Sequence, residues 1–322
     1  MSESAFEPIV EPVSESQWPS VGSVSPDRVV VAGRRSRLFL FEGSNDEYAG
    51  YCDPTRASAA DSWVSVLRAR AARLAHLPHL TLMVPNKTTC LPQDFPLPRA
   101  SDTTFLWARL RSLCVGDARL HFPTELVAPD RRAAGWGDGW GLVNSHWSSF
   151  GAASAALDVL SRFTLPGLPV TSVEGLSVIG GDLGHRWPGP PLLEQWTRRL
   201  ELDLPAPQIL HDNADGDHGR GVVGRTIEWI CPGAVVDARL LVVGNSFAGP
   251  GLLQSELVYW LSRAFRSCVF LHTADLPADA LSLFAPDVVL VQTIERFLPT
   301  VPQDTVTVAE LDAQHRAARG SR

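Results

Sequence analysis

The last third of the chain constrains the fold most. Leu240-Leu241-Val242-Val243, Val269-Phe270-Leu271 and Val288-Val289-Leu290-Val291 are short apolar runs without the alternation of a half-exposed strand. Runs of this kind read as strands covered on both faces. Between the first two, Leu253, Leu257, Trp260, Leu261 and Ala264 recur at helical spacing, and Ala278 to Phe284 supplies a second, short helix. A β-α-β-α-β order gives parallel strands joined by crossovers. Helices alternating with buried strands predict an α/β fold, a three-layer α/β/α sandwich around a mainly parallel sheet.

The same alternation is visible upstream. Val29-Val30-Val31 and Leu38-Phe39-Leu40-Phe41 read as strands, Ser58 to Leu77 as a helix, Leu80 to Val84 as a buried strand, and Thr103 to Leu113 as a helix. Residues 122–145 read as loop, with Gly135, Gly137, Gly139 and Gly141, and Ser148 to Phe163 as a helix. Residues 165–235, rich in Pro, Gly and Asp, read as irregular structure with short strands. The division expected is a flexible acidic tail over 1–27, an α/β domain over 28–300 and a polar tail over 301–322.

Charge and composition exclude several functions. The net charge is −7, and the best basic cluster, Arg68, Arg70 and Arg73, is spaced like one solvated helix face. Nucleic acid is therefore not an expected partner. The 5 cysteines show no CxxC pair or ligand spacing, which predicts neither a metal site nor a disulfide framework. Asp212, Asp215 and Asp217 lack the glycine and terminal glutamate of a calcium loop. No glycine-rich nucleotide fingerprint occurs, so no bound cofactor is expected. No apolar run reaches the length of a membrane span. Glu3, Glu7, Glu11 and Glu15 precede the first arginine, unlike the basic start of a secretory signal, so the expected location is cytoplasmic.

Two segments carry residues suited to chemistry. Gly244-Asn245-Ser246-Phe247 follows the strand 240–243 directly, at the carboxyl edge where parallel sheets bind ligands. A serine on a strand-to-helix turn exposes its hydroxyl, and a backbone N–H beside it can stabilise an oxyanion. Asn144-Ser145-His146-Trp147 brings a histidine, the side chain suited to proton transfer near neutral pH, to the front of a helix. Taken singly, the first reads better as a plain capping turn and the second as a capping or surface histidine.

Together the two segments resemble a family. Gly244-Asn245-Ser246-Phe247 resembles the GDSF nucleophile block of SGNH-type hydrolases, and Asn144-Ser145-His146-Trp147 the DxHW block of SGNH-like alginate O-acetyltransferases. In that subgroup the histidine block precedes the serine block, as it does here. Leu38 to Phe41 with Asn45, Asp46, Tyr48 and Gly50 is similar to the family's opening segment. Val84-Pro85-Asn86-Lys87, Gly181-Asp182-Leu183-Gly184, and Pro286-Asp287 with Glu295-Arg296 are similar to later ones. The resemblance spans roughly residues 29–298 and implies an SGNH/flavodoxin-like sandwich.

It also implies roles. Ser246 is then the acyl-accepting nucleophile and His146 its general base. Asn144 stands where the family has Asp, so the imidazole loses a charged partner. The corresponding change in serine proteases costs on the order of 10⁴ in turnover. Asp138 or Asp182 could take its place, although a lone aspartate in such a loop is more often a turn-forming or capping residue. Gly244, Asn245, Trp147 and Arg296 are the expected oxyanion or substrate contacts, and Trp136, Trp140 and Trp147 either stack on sugar rings or close a core. The implied reaction is O-acetyl transfer to, or removal from, a carbohydrate or glycoconjugate hydroxyl, with acetyl-CoA as the soluble donor. The alternative is a catalytically impaired carbohydrate-binding module, for which Asn144 is the reason.

Overall fold

The computed structural model of the protein describes residues 10–43, 46–124, 138–214 and 223–320. Asn45, Gly135, Trp136, Gly137, Asp215 and Asp217 lie outside the described residues, as do residues 1–9 of the expected amino-terminal tail. The elements are β1 (Val10–Pro12), β2 (Val30–Ala32), β3 (Leu38–Leu40), α1 (Glu47–Cys52), α2 (Ala60–Arg73), β4 (His79–Val84), α3 (Lys87–Cys90), α4 (Phe105–Leu113) and β5 (Leu120–His121). There follow α5 (Ser149–Arg162), β6 (Val170–Gly180), β7 (Leu193–Leu202), β8 (Gln208–Asp212), β9 (Thr226–Ile230), β10 (Val236–Gly244) and α6 (Leu257–Ala264). The chain closes with β11 (Phe265–His272), α7 (Ala280–Phe284), β12 (Val288–Ile294) and α8 (Val308–Gly320).

The apolar runs form the centre of a seven-stranded sheet of order β5-β4-β12-β10-β11-β9-β8. Its first five strands are mutually parallel, and β9 and β8 add on antiparallel. Period-two geometry sends alternate side chains of β10 to opposite faces. Leu240 and Val242 enter the core shared with α5 and α6, whereas Leu241 and Val243 join the core under α7. Both faces are thus covered, as in a three-layer α/β/α sandwich. From β10 the chain passes to β11 on one side and then to β12 on the other. The carboxyl end of β10 is therefore a switch point, where open α/β sheets place ligands.

Residues 165–235 depart from the irregular reading. Long strands β6 and β7 pair antiparallel over Val170↔Leu202 to Gly180↔Leu193, and β1 pairs with β7 to complete a three-stranded sheet. A register shift between Glu174 and Ser177 interrupts the alternation by which a strand is recognised.

Both tails are corrected where the structure describes them. Val10 is buried opposite Trp196, and the Ser25 hydroxyl accepts the Val30 N–H at 3.0 Å, so residues 10–27 are ordered structure. Residues 308–320 form α8, whose Val308, Leu311 and His315, spaced for one helix face, are buried. Arg70 of α2 forks onto both carboxylate oxygens of Asp304, at 2.7 and 2.8 Å, and ties the preceding segment to the layer. No helix among the described residues is long and apolar enough to cross a membrane.

Candidate active site

Ser246 stands just beyond β10. Asn245 shapes the turn: its side-chain Oδ1 accepts the Phe247 N–H at 3.0 Å and its carbonyl accepts the Ala248 N–H at 2.9 Å. The carbonyls of Phe247 and Ala248 accept the first N–H groups of α6, Leu257 and Val258, at 3.1 and 2.7 Å. Those donors otherwise lack partners at a helix start. The helix begins only at Leu257, later than the Leu253 start of the apolar periodicity, so Ser246 sits on a tied-down turn well ahead of it. Gly244 ends β10, and a Cβ there would meet Ala248 Cβ and Gln292 Oε1, each at 2.8 Å. Glycine lets the turn fold back on the strand. The Asn245 N–H donates to Gln292 Oε1 at 3.1 Å, which fixes the turn against β12.

The histidine arrives on the loop before α5. Lys87, at the start of α3, buries its ammonium and donates to the carbonyls of Leu38, Leu142 and Asn144 at 2.8, 3.1 and 3.2 Å. Burial pulls its pKa down to about 7. From the opposite side, Glu194 of β7 accepts the Val143 N–H at 3.2 Å and the Leu142 N–H. The Gly181–Gly184 turn packs on the same backbone, with the Leu183 N–H donating to Val143 O at 3.1 Å. A Cβ on Gly181 would fall on the Val143 carbonyl, so only glycine permits this approach. The loop is thus clamped between the end of β4 and the β6–β7 hairpin.

These supports bring the two sequence blocks together. His146 Nε2 lies 2.9 Å from Ser246 Oγ. On the other side of the ring, Nδ1 lies 3.2 Å from Asn144 Oδ1 and 3.4 Å from Ser145 Oγ. Asn144 Oδ1 also accepts the His146 backbone N–H, at 3.0 Å. That second bond sets the amide's orientation, because a flipped NH₂ would face the backbone N–H, a donor with nothing to accept it. The oxygen therefore receives Nδ1–H, and Nε2 is left free to accept the serine proton.

Phe247 is the platform of the site. It lies tilted on the His146 ring at 4.7 Å between centroids, with the Arg296 guanidinium 5.0 Å from its own centroid. Burial, with the Arg296 charge in support, holds His146 at about 4, while Asp182 pulls the other way. The imidazole is neutral at physiological pH, as a general base must be.

The remaining expected residues fall elsewhere. Trp147 and Trp140 are buried, and Trp147 meets Phe247 edge-on at 5.3 Å. By burial both are core residues, and Trp147 also borders the cavity beside the loop. Arg296 is buried too; its NH1 reaches Ser145 O at 3.4 Å, and burial lowers its pKa against the pull of Glu47. It braces the histidine loop and also lines a small pocket with Glu47, Thr104 and Glu295. Asp138 pairs with Arg37 at 3.0 Å, whereas Asp182 lies 3.9 Å from His146 Nδ1. Sequence reasoning gave no role to Ser145 and Lys87, although both lie inside segments that carry the resemblance, and none to Gln292, which no sequence signal marked. Among the described residues no cluster of three or more His, Cys, Asp or Glu side chains is placed to hold a metal ion.

A cavity of about 270 Å³ opens beside this loop, bordered by Asn144, Ser177, Ile179, Arg198, Leu253 and Gln254.

The chain thus carries a serine and a histidine paired at the switch point of a mainly parallel sheet, and solved structures share its α/β/α fold. The O-acetyltransferase domain of Pseudomonas putida AlgJ superposes with a TM-score of 0.50 at 20% identity, covering 91% of this chain and 99% of that one. Bacillus cereus PatB1 superposes with a TM-score of 0.54 at 12% identity over 84% of this chain and 97% of its own. A structure of PatB1 with a sulfonyl adduct gives 0.51 at 12% identity, over 85% and 100%. The likeness to the SGNH-like alginate O-acetyltransferase type is thus one of fold. No protein-family model and no curated protein matches the chain in sequence.

Proposed function

We propose that the protein is a serine-dependent O-acetyltransferase or acetylesterase acting on a carbohydrate or glycoconjugate hydroxyl. The observation that carries this reading is the 2.9 Å approach of Ser246 Oγ to a neutral His146 Nε2 at the switch point of the sheet. Fold likeness to the O-acetyltransferase domain of AlgJ supports the choice of acyl group and acceptor class.

Ser246 Oγ attacks the acetyl carbonyl carbon while its proton passes to Nε2. The Asn245 N–H is committed to Gln292, so the Ser246 N–H is the backbone donor for the oxyanion. Collapse expels the leaving group, which takes the proton from His146 and leaves acetyl-Ser246. An acceptor hydroxyl, deprotonated by His146, then attacks the ester carbonyl and regenerates the serine. Water in its place yields acetate. Acetyl-CoA is the soluble donor to test first.

A second reading, an impaired carbohydrate-binding module, rests on Asn144, which adds no charge to stabilise imidazolium. The two separate in one assay: acetyl-CoA or an activated acetyl ester is supplied with an oligosaccharide mixture, and acetylated sugar and free acetate are measured. The enzyme reading expects product from the wild type. No turnover from the wild type and from Asn144→Asp alike, with sugar still bound, would establish the binding module instead.

A further inference from the structure

Asn144 supplies an oxygen to Nδ1 but no charge, and the imidazolium formed during acyl transfer sits over a platform shared with the Arg296 cation. Something must offset that repulsion for the base to work. The β6–β7 hairpin brings in Asp182, whose two carboxylate oxygens both engage Ser145: Oδ1 accepts its backbone N–H at 2.7 Å and Oδ2 its hydroxyl at 2.6 Å. A serine hydroxyl that donates to a carboxylate keeps its lone pairs for accepting, and Ser145 Oγ lies 3.4 Å from Nδ1. Asp182 Oδ2 itself lies 3.9 Å from Nδ1.

The other acidic groups around the site are committed elsewhere. Asp138 faces Arg37, and Glu194 accepts from the Leu142 and Val143 backbone. Glu295 accepts the N–H groups of Asn86 and Thr104, and buried Glu47 faces Arg296 and the Thr88 hydroxyl. Among the described residues, the cations that face the ring and its loop are Arg296, Lys87 and Arg37, which donates to the Trp140 carbonyl at 3.1 Å.

We propose that Asp182, acting across the Ser145 hydroxyl, is a positioning residue that supplies the negative charge which Asn144 lacks, so that the pair Asn144 and Asp182 divides between two residues what a single aspartate does elsewhere. Asn144 selects the tautomer; Asp182 stabilises the charge. The inference rests on the acyl-transfer reading of the same site.

The test compares wild type with Asp182→Asn, Ser145→Ala and the double variant Asp182→Asn/Asn144→Asp. Two readouts are taken: the NMR titration of the His146 ring, which needs no activity, and the pH profile of kcat/KM. Loss of a charge near 4 Å in a partly solvated setting is expected to lower the plateau about tenfold or more. Because Asp182 favours the charged imidazole, its loss is expected to move the His146 titration to lower pH. Ser145→Ala should lower the plateau while Asp182 continues to support the imidazolium titration, and Asn144→Asp placed on Asp182→Asn should restore most of the rate. An unchanged His146 titration in Asp182→Asn, or a rate loss that Asn144→Asp does not rescue, would overturn the proposal. If the wild type transfers no acetyl group, the functional reading falls by itself, and the titration still judges the coupling of Asp182 to His146.

Discussion

The serine and the carboxylate reach the same imidazole from opposite kinds of structure. Ser246 hangs from β10, a strand buried on both faces and paired with parallel neighbours on both edges. Asp182 hangs from the β6–β7 hairpin, which lies outside the main sheet and leaves Leu176 and Val178 exposed. One support is buried on both faces; the other is held by one row of side chains, Leu183, Leu192, Trp196 and Leu200, in the core, and by the close backbone approach at Gly181. Between them lies the histidine loop, clamped from both sides. The contrast suggests a division in which the sheet holds the reacting pair and the hairpin tunes it.

The largest effect should come from the sheet side. His146→Ala removes the base, and turnover is expected to fall on the order of 10³-fold or more, with folding unchanged. A loss under tenfold would separate the pair from the chemistry. Next comes the hairpin's anchor. Gly181→Val drives a side chain into the Val143 carbonyl, so the loop must shift, and a shift of about 1 Å at a reacting group costs about a hundredfold in rate. Unchanged kinetics there would show that the hairpin only leans on the loop.

Lys87→Met probes the clamp from the other side. It leaves the buried carbonyls of Leu38, Leu142 and Asn144 without their shared charged donor, and denaturant unfolding should show a loss of about 2–3 kcal/mol. The pH profile sharpens the picture without any substitution. A base depressed to about 4 is lost only as pH falls through that value, so kcat/KM should stay flat from neutral pH to about 5 and drop below. A half-point near the ordinary histidine value would mean that the site is wetter than its packing implies. The smallest effect is expected on the outer hairpin, where the exposed Arg199–Glu201 pair should contribute under about 1 kcal/mol.

The same contrast explains what the sequence made legible. Leu240–Val243, Val269–Leu271 and Val288–Val291 announce themselves because a strand covered on both faces needs an uninterrupted apolar run. The serine and histidine blocks are short and local, so they survive where overall similarity does not. Segment β6 hides because its register shift and its polar and apolar residues on both faces break the period. The carboxyl-terminal helix hides because its buried stripe includes His315, which reads as polar. Asp182 was visible as a candidate carboxylate, but its approach to His146 depends on a hairpin without a clear pattern. The tryptophans near the loop illustrate the opposite failure: a side chain suited to stacking on sugar is as suited to a core, and Trp140 and Trp147 took the core.

The most direct measurement is the intact mass of the protein after brief exposure to an activated acetyl ester, with the modified peptide mapped. The pairing of Ser246 with His146 predicts a gain of one acetyl group on Ser246 in the wild type, its absence in Ser246→Ala, and its near-absence in His146→Ala. An unmodified wild type, or an acetyl group carried equally by all three proteins, would contradict it.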